Sequence, residues 1–148
     1  MYQTVQVSGE LTWDLAHRDE LLRLEGHDYD RGGEEAAMTF VVRAADAVLT
    51  PDAPDPGRVL AGHPVTSSMV LTSGDMVRHG IWQIAPGTAA EVAPAGMFVV
   101  LSGSATIAVD GGPTFDVGPG DVCIWDGGER TIWTVRETLR KVYQITRS

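Results

Sequence analysis

Three side chains in this sequence could transfer protons during a reaction: His79, Glu91 and Tyr143. An imidazole, a carboxylate and a phenol act as general bases or acids when they lie within hydrogen-bond reach of one substrate. Two of them also have a plain structural interpretation. His79 follows Arg78 in "MVRHG" and could lie on a surface hairpin, and Glu91 could be solvated at the end of its own hairpin.

Two further residues carry reactive groups but have weaker contexts. His63 lies in "GHP", which is typical of a loop. Cys123 lies in an apolar run, where a cysteine usually packs as a small buried hydrophobe. No neighbour of the kind that activates a thiol stands beside it in the sequence. As the chain's one cysteine, it also excludes an internal disulfide.

The composition indicates one soluble globular domain. The chain has 148 residues, of which 43% are hydrophobic and 21% charged. A net charge of -9 disfavours nucleic acid and anionic membranes as partners, since both attract basic surfaces. The first residues, "MYQTVQVSGE", lack the basic and apolar regions of a signal peptide, and we expect a cytoplasmic protein.

Glycine and proline divide the chain into short apolar runs, which is typical of an all-β sandwich or barrel. The sequence contains 17 glycines and 8 prolines. "TPDAPDPG" at residues 50–57 reads as a linker without strand capacity. We predict strands at residues 38–43, 68–72, 76–85, 97–101, 105–109, 121–125, 131–135 and 139–146.

The first third of the chain has a different pattern. Leucines among charges at residues 12–28 predict a short helix that ends at Gly26. We therefore divide the chain into an N-terminal extension at residues 1–45, with a helix and a strand, and a barrel at residues 46–148.

Four segments in fixed order resemble the cupin superfamily. The likeness is to cupins related to ureidoglycine aminohydrolases and to the ethanolamine-utilisation cupin. The resemblance implies a double-stranded β-helix, or jelly-roll barrel. The segments are "GIWQIAPGT" (residues 80–88), "FVVLSGSATI" (98–107), "GPGDVCIWDGGERTIWTV" (118–135) and "LRKVYQI" (139–145).

The resemblance also indicates where metal ligands would stand, and this chain has other residues there. Metal-binding cupins use two histidines and a glutamate from a first motif and a histidine from a second. The second-motif histidine corresponds to Thr131 and the glutamate to Gly96. The paired histidines fall at Ala89 and Glu91, or one residue later. We therefore expect neither a metal nor another cofactor.

Strand alternation predicts the walls of the barrel. If Thr131 points inward, Trp133 and Val135 do so too, and if Gly96 points inward, Phe98 and Val100 follow. Trp82 and Trp125 are further candidates for the walls or for a dimer face. A barrel mouth of this kind suits a small, largely apolar ligand.

Two functions of different class follow. The first is a metal-independent enzyme that performs isomerisation, cyclisation or dehydration with His79, Glu91 and Tyr143, since metal-free sugar epimerases of the cupin fold use a histidine base and a tyrosine acid. The second is a non-catalytic barrel that binds or senses a small molecule. The resemblance also implies a homodimer, in which the strand at residues 38–43 would join the partner's sheet.

Overall fold

The computed structural model describes residues 39–147. They form nine β-strands and one short 3-10 turn at Pro56–Arg58, which confirms the all-β prediction. The strands are β1 (Thr50–Pro51), β2 (Val59–Gly62), β3 (Thr66–Ser73), β4 (Val77–Ile84), β5 (Gly87–Val92), β6 (Gly96–Val109), β7 (Thr114–Val117), β8 (Val122–Trp125) and β9 (Arg130–Thr146).

Two long strands, β6 and β9, organise the sheet. They pair antiparallel from Gly96 opposite Ile145 to Val109 opposite Thr131. The other edge of β9 pairs with β5 along its first half and with β4 along its second. The other edge of β6 pairs with β8 and then with β7. All nine strands therefore belong to one curled sheet.

Each long strand was expected as two separate strands. The pairing register shifts three times between Val100 and Ala105, and Gly103 has a positive φ of 88°. Such irregularities bend a strand without ending it, because the ladder resumes beyond them. The glycine and the polar residues around it look like a chain break in the sequence, but the strand continues.

The barrel interior follows the predicted alternation along β9. Thr131, Trp133 and Val135 are buried, while Ile132 and Thr134 between them are exposed. On β6 the buried residues are Phe98, Val100, Ala105 and Ile107. Phe98 and Val100 are two residues apart, and so are Ala105 and Ile107, so the inward alternation restarts on each side of the bend.

The edges of the sheet differ from the sequence-based expectation. Residues 39–43 are not in a strand, and Met38 and the predicted helix lie outside the described residues. Thr50–Pro51, in the expected linker, pair with Ser68 and Ser67 as a two-residue edge strand. Proline is tolerated there because an edge strand leaves one side free of ladder hydrogen bonds. Strands β2, β5 and β7 were not predicted.

No helix within residues 39–147 has the length and apolar character needed to cross a membrane.

Gly96 is a position at which the fold excludes a side chain. Its φ is 145°, and a Cβ placed there would collide with the carbonyl oxygen of Gln144 on β9. Gly120 also has a positive φ, 89°, but a Cβ there would meet no atom within 4 Å. Substitutions at Gly96 and at Gly120 can therefore distinguish a steric clash from the strain of a positive φ.

We expect Gly96→Ala to lower the free energy of unfolding by more than about 3 kcal/mol, because strands β6 and β9 must separate locally. Gly120→Ala should cost only about 1–2 kcal/mol, the strain of the left-handed backbone. Urea unfolding of the two variants measures both values. Equal losses would contradict the steric explanation.

Candidate functional site

A cavity of about 330 Å³ opens into the barrel. Strand β9 contributes six of its lining residues, and β3, β4, β5, β6 and β8 contribute others. Its apolar walls include Trp82, Phe98, Trp125 and Trp133, all of which were predicted as pocket residues. Its polar and charged residues are Ser68, Arg78, Glu91, Thr131, Lys141, Tyr143 and Gln144.

The aromatic walls pack against one another. The rings of Trp82 and Trp133 meet edge to face with their centroids 5.5 Å apart. Phe98 lies 5.7 Å from Trp133 and 6.3 Å from Trp125. Offset and tilted contacts of this kind are the arrangement that aromatic quadrupoles favour. The rings therefore brace one another, and the walls hold their shape.

Lys141 places its ammonium group among these rings. Its Nζ lies 4.1 Å from the centroid of Phe98, 4.4 Å from that of Trp82 and 5.0 Å from that of Trp133. Lys141 lies on β9, where it pairs with Trp82 of β4 on one side and with Val100 of β6 on the other. Its side chain points into the cavity. The faces of the rings attract the cation.

Burial lowers the pKa of Lys141 to about 8, from an ordinary value of 10.5. The loss of hydration is the largest cause, and the attraction of the Glu91 carboxylate offsets only part of it. The amine thus changes its charge near neutral pH, which few lysines do.

Glu91 lies on β5, where it pairs with Thr131 of β9, and it faces both the cavity and Arg58. Its Oε1 accepts a hydrogen bond from Arg58 Nη1 at 2.7 Å. Burial nevertheless raises the pKa of Glu91, because desolvation outweighs the attraction of Arg58 and of Lys141. Arg58 itself is held by Asp55, whose Oδ2 lies 3.1 Å from its Nε.

Tyr143 lines the cavity two residues beyond Lys141. Burial raises the pKa of its phenol, although the Arg78 guanidinium donates a hydrogen bond to the hydroxyl. The tyrosine ring lies over Gly80, where a Cβ would collide with it. Within residues 39–147, the Nε of Arg78 is buried and has no hydrogen-bond partner, so this guanidinium retains one unused donor beside the cavity.

At the positions where the resemblance places metal ligands, the described residues do not form a transition-metal site. Thr131 is buried, and its hydroxyl donates a hydrogen bond of 2.8 Å to the backbone carbonyl of Glu91. Gly96 has no room for a side chain, and Ala89 packs into the core. Residues 39–147 contain no group of three histidine, cysteine or acidic side chains placed to hold a metal.

The structure does not bring His79 together with Glu91 and Tyr143. Its Nδ1 is 2.8 Å from the Thr72 hydroxyl and its Nε2 is 3.0 Å from Gln144 Oε1. His79 is three residues from Trp82 on β4, and residues at an odd spacing point to opposite faces of a strand. It therefore lies outside the cavity lining.

Four other candidates also lie away from the cavity. Val100 and Val135 are buried in the core as expected, but neither lines the cavity. His63 is exposed. Cys123 is buried, and burial raises the pKa of its thiol.

Lys141 and Arg78 were missed by the sequence-based reasoning. Tyr143 was chosen for the cavity, and alternation along the same strand places Lys141 on the same face. A second signal was available, because Lys141 is the only lysine in a chain that has ten arginines.

The sequence and the structure identify the barrel. Residues 71–143 match the family of EutQ-like cupin domains. The barrel has the cupin fold. This confirms the predicted jelly-roll architecture and the likeness to the ethanolamine-utilisation cupin.

Solved structures share this cupin fold. The EutQ protein of Clostridium difficile is 13% identical with a TM-score of 0.56, over 72% of this chain and 85% of that one. The polyketide cyclase RemF of Streptomyces resistomycificus is 22% identical with a TM-score of 0.56, over 74% and 80%. A protein of unknown function from Pseudomonas syringae pv. tomato is 25% identical with a TM-score of 0.58, over 68% of this chain and 45% of that one. No curated protein sequence matches the chain significantly.

Lys141→Met should change the stability of the cupin in a pH-dependent way. The folded-state pKa of Lys141 is lowered, so the unfolded chain binds more protons between pH 8 and 10.5. The wild-type protein therefore gains stability as pH rises through this range, and the variant lacks this gain. We expect the stability of the variant relative to wild type to be highest below pH 8 and to decline towards pH 10.5.

Urea unfolding of both proteins across that range measures the difference. Arg136→Met is the matched control, because Arg136 is an exposed cation on the same strand. Its difference from wild type should stay constant with pH. A constant difference for Lys141→Met as well would contradict the lowered pKa.

Proposed function

We propose that this cupin is a metal-independent enzyme that performs acid/base chemistry on a small, largely apolar substrate held in the barrel. Isomerisation, cyclisation and dehydration are the reactions that fit. One observation carries the proposal: Glu91, Lys141 and Tyr143 line one aromatic cavity, and burial moves the pKa of each. Titratable groups with shifted pKa values cluster at functional sites.

The three groups suit different roles. The Glu91 carboxylate is the strongest candidate for the base, since its raised pKa improves its ability to take a proton. The Tyr143 hydroxyl, which Arg78 contacts, suits the donation of a proton to a substrate oxygen. Lys141 can bind a developing negative charge or, when neutral, accept a proton. Trp82, Phe98 and Trp133 would hold the apolar part of the substrate.

One comparison adds support for cyclisation among these three reactions. RemF, which shares the fold, is a polyketide cyclase. Its 22% identity limits that likeness to the fold, so the reaction of this chain is argued from its own cavity. The metal-dependent hydrolysis suggested by the resemblance to ureidoglycine aminohydrolases is disfavoured, because Gly96, Thr131 and Ala89 offer no side-chain ligand of the required kind.

The alternative is a non-catalytic barrel that binds a small molecule. An interior of apolar walls and Thr131 alone would favour that alternative. The hydrogen bond between Arg78 and Tyr143 and the closeness of Glu91 to Lys141 favour an enzyme, because binding an apolar ligand requires none of these groups. The homodimer and the cytoplasmic location stay predictions.

Native mass spectrometry of the purified protein would identify a ligand that remains in the barrel. Conversion of that ligand is then followed by chromatography for wild type, Glu91→Gln and Tyr143→Phe, with Arg136→Met as the control. We expect the first two variants to lose about 10²–10⁴-fold in kcat while the control stays active. Ligand binding without conversion by wild type would instead establish the non-catalytic barrel.

Metal analysis of the purified protein tests the other half of the proposal. We expect far less than one transition-metal ion per chain and no effect of a chelator on turnover. About one bound ion per chain, together with loss of turnover after chelation, would contradict a metal-independent enzyme.

A further inference from the structure

The placement of lysine in this chain is unusual. Of the eleven lysine and arginine side chains, ten are arginines, and the single lysine points into the cavity. An arginine at that position would keep its charge at any accessible pH, whereas an amine can lose its proton and become a nucleophile. The one lysine of the chain therefore lies where a neutral amine could meet a ligand bound in the cavity.

The surroundings of Lys141 favour that neutral form. With a pKa of about 8, about one tenth of the amines are neutral at pH 7, against roughly one in three thousand for an ordinary lysine. The acidic groups that act on it are Glu91 on β5 and Cys123 on β8, and both favour the ammonium form. Loss of hydration exceeds their effect. Arg78 and Tyr143 line the same cavity.

We infer that Lys141 forms a Schiff base with the carbonyl group of an apolar aldehyde or ketone bound in the cavity. This inference rests on the proposed function and names its substrate class. Apolar lysine pockets are a known means of activating an amine for attack on a carbonyl. The aromatic walls select an apolar carbonyl compound, and the volume of about 330 Å³ selects a small one.

The step balances without an oxidant or a metal. The lone pair of Lys141 Nζ forms a bond to the carbonyl carbon, and one amine hydrogen moves to the carbonyl oxygen. The resulting hydroxyl takes the second hydrogen and leaves as water, which gives a carbon–nitrogen double bond. Glu91 can take the proton that the ammonium must lose first, and the Tyr143 hydroxyl can donate one to the departing oxygen. Addition of water reverses the step.

A Schiff base would also explain how the site performs acid/base chemistry. The protonated imine withdraws electrons from the neighbouring carbon, which makes its hydrogens more acidic. Isomerisation, cyclisation and dehydration all can begin with loss of such a hydrogen. Glu91, with its raised pKa, then acts as the base on that carbon.

Reductive trapping tests the inference. The folded protein is incubated with benzaldehyde and sodium cyanoborohydride, which reduces an imine to a stable benzylamine. Mass spectrometry of the intact chain counts the benzyl groups, and peptide mapping separates Lys141 from the α-amino group, the only other primary amine in the chain. Mapping is done on the wild-type protein, so the result does not depend on a variant that folds.

We expect one benzyl group on Lys141, formed on the order of 10²-fold faster at pH 7 than on Nα-acetyl-lysine amide, in line with the larger neutral fraction. The rate should level off above pH 8. Lys141→Arg should carry no label except at the α-amino group. Labelling of Lys141 no faster than the free amine, or only after unfolding in urea, would overturn the inference.

Failure of this inference can be told apart from failure of the proposed function. Quenching of tryptophan fluorescence by benzaldehyde, and by benzyl alcohol, which cannot form an imine, reports binding alone. Binding of both without a trapped adduct overturns the Schiff base and leaves a non-covalent acid/base site. A benzaldehyde adduct trapped on Lys141, together with tighter binding of benzaldehyde than of benzyl alcohol, supports the Schiff base.

Discussion

The pairing of β6 with β9 is the constraint on which the rest of this cupin depends. The two strands lie side by side over almost their whole length, and each uses its second edge to hold two shorter strands. This arrangement requires close contact at Gly96 and Gly103, where any side chain would meet the backbone of β9. Because β9 supplies Lys141 and Tyr143, and β6 supplies Phe98, the same pairing determines where the polar groups stand relative to the aromatic walls.

The electrostatics of the cavity run against those of the whole molecule. The chain has a net charge of -9, yet Lys141 and Arg78 place positive charge inside the barrel. Three aromatic faces attract the ammonium, but its pKa remains well below 10.5, so desolvation is the larger effect. The protein keeps a cation in a place where it is unfavourable. Sites that keep such groups usually use them.

The period of two residues along β9 was sufficient to predict which side chains point inward, and Thr131, Trp133 and Val135 are buried as expected. The alternation could not show whether an inward side chain reaches the cavity or packs below it. Val135 was therefore predicted to line the cavity, although it packs in the core. Alternation would also have separated His79 from Trp82, because they are three residues apart on one strand. The same alternation would have placed Lys141 on the cavity face of β9 together with Tyr143, two residues away.

The unpredicted parts of the fold depend on partners distant in sequence. The bend at Gly103 is held by pairing with β9, and the edge strand Thr50–Pro51 exists only because Ser67 and Ser68 lie beside it. The intrinsic strand propensity of a short segment does not show which distant strand it will pair with. Strand β5, whose alanines have little intrinsic preference for a sheet, is stabilised in the same way by the first half of β9.

The contact between Gly80 and the ring of Tyr143 restricts how this site can evolve. The space where a larger residue at position 80 would extend is filled by the hydroxyl end of the tyrosine, so a side chain at position 80 displaces that ring unless Tyr143 has first been replaced by a smaller residue. The reverse order passes through a displaced tyrosine and a disrupted cavity. The two positions are therefore epistatic, and descendants that keep the phenol must also keep the glycine, although that glycine has no chemistry of its own.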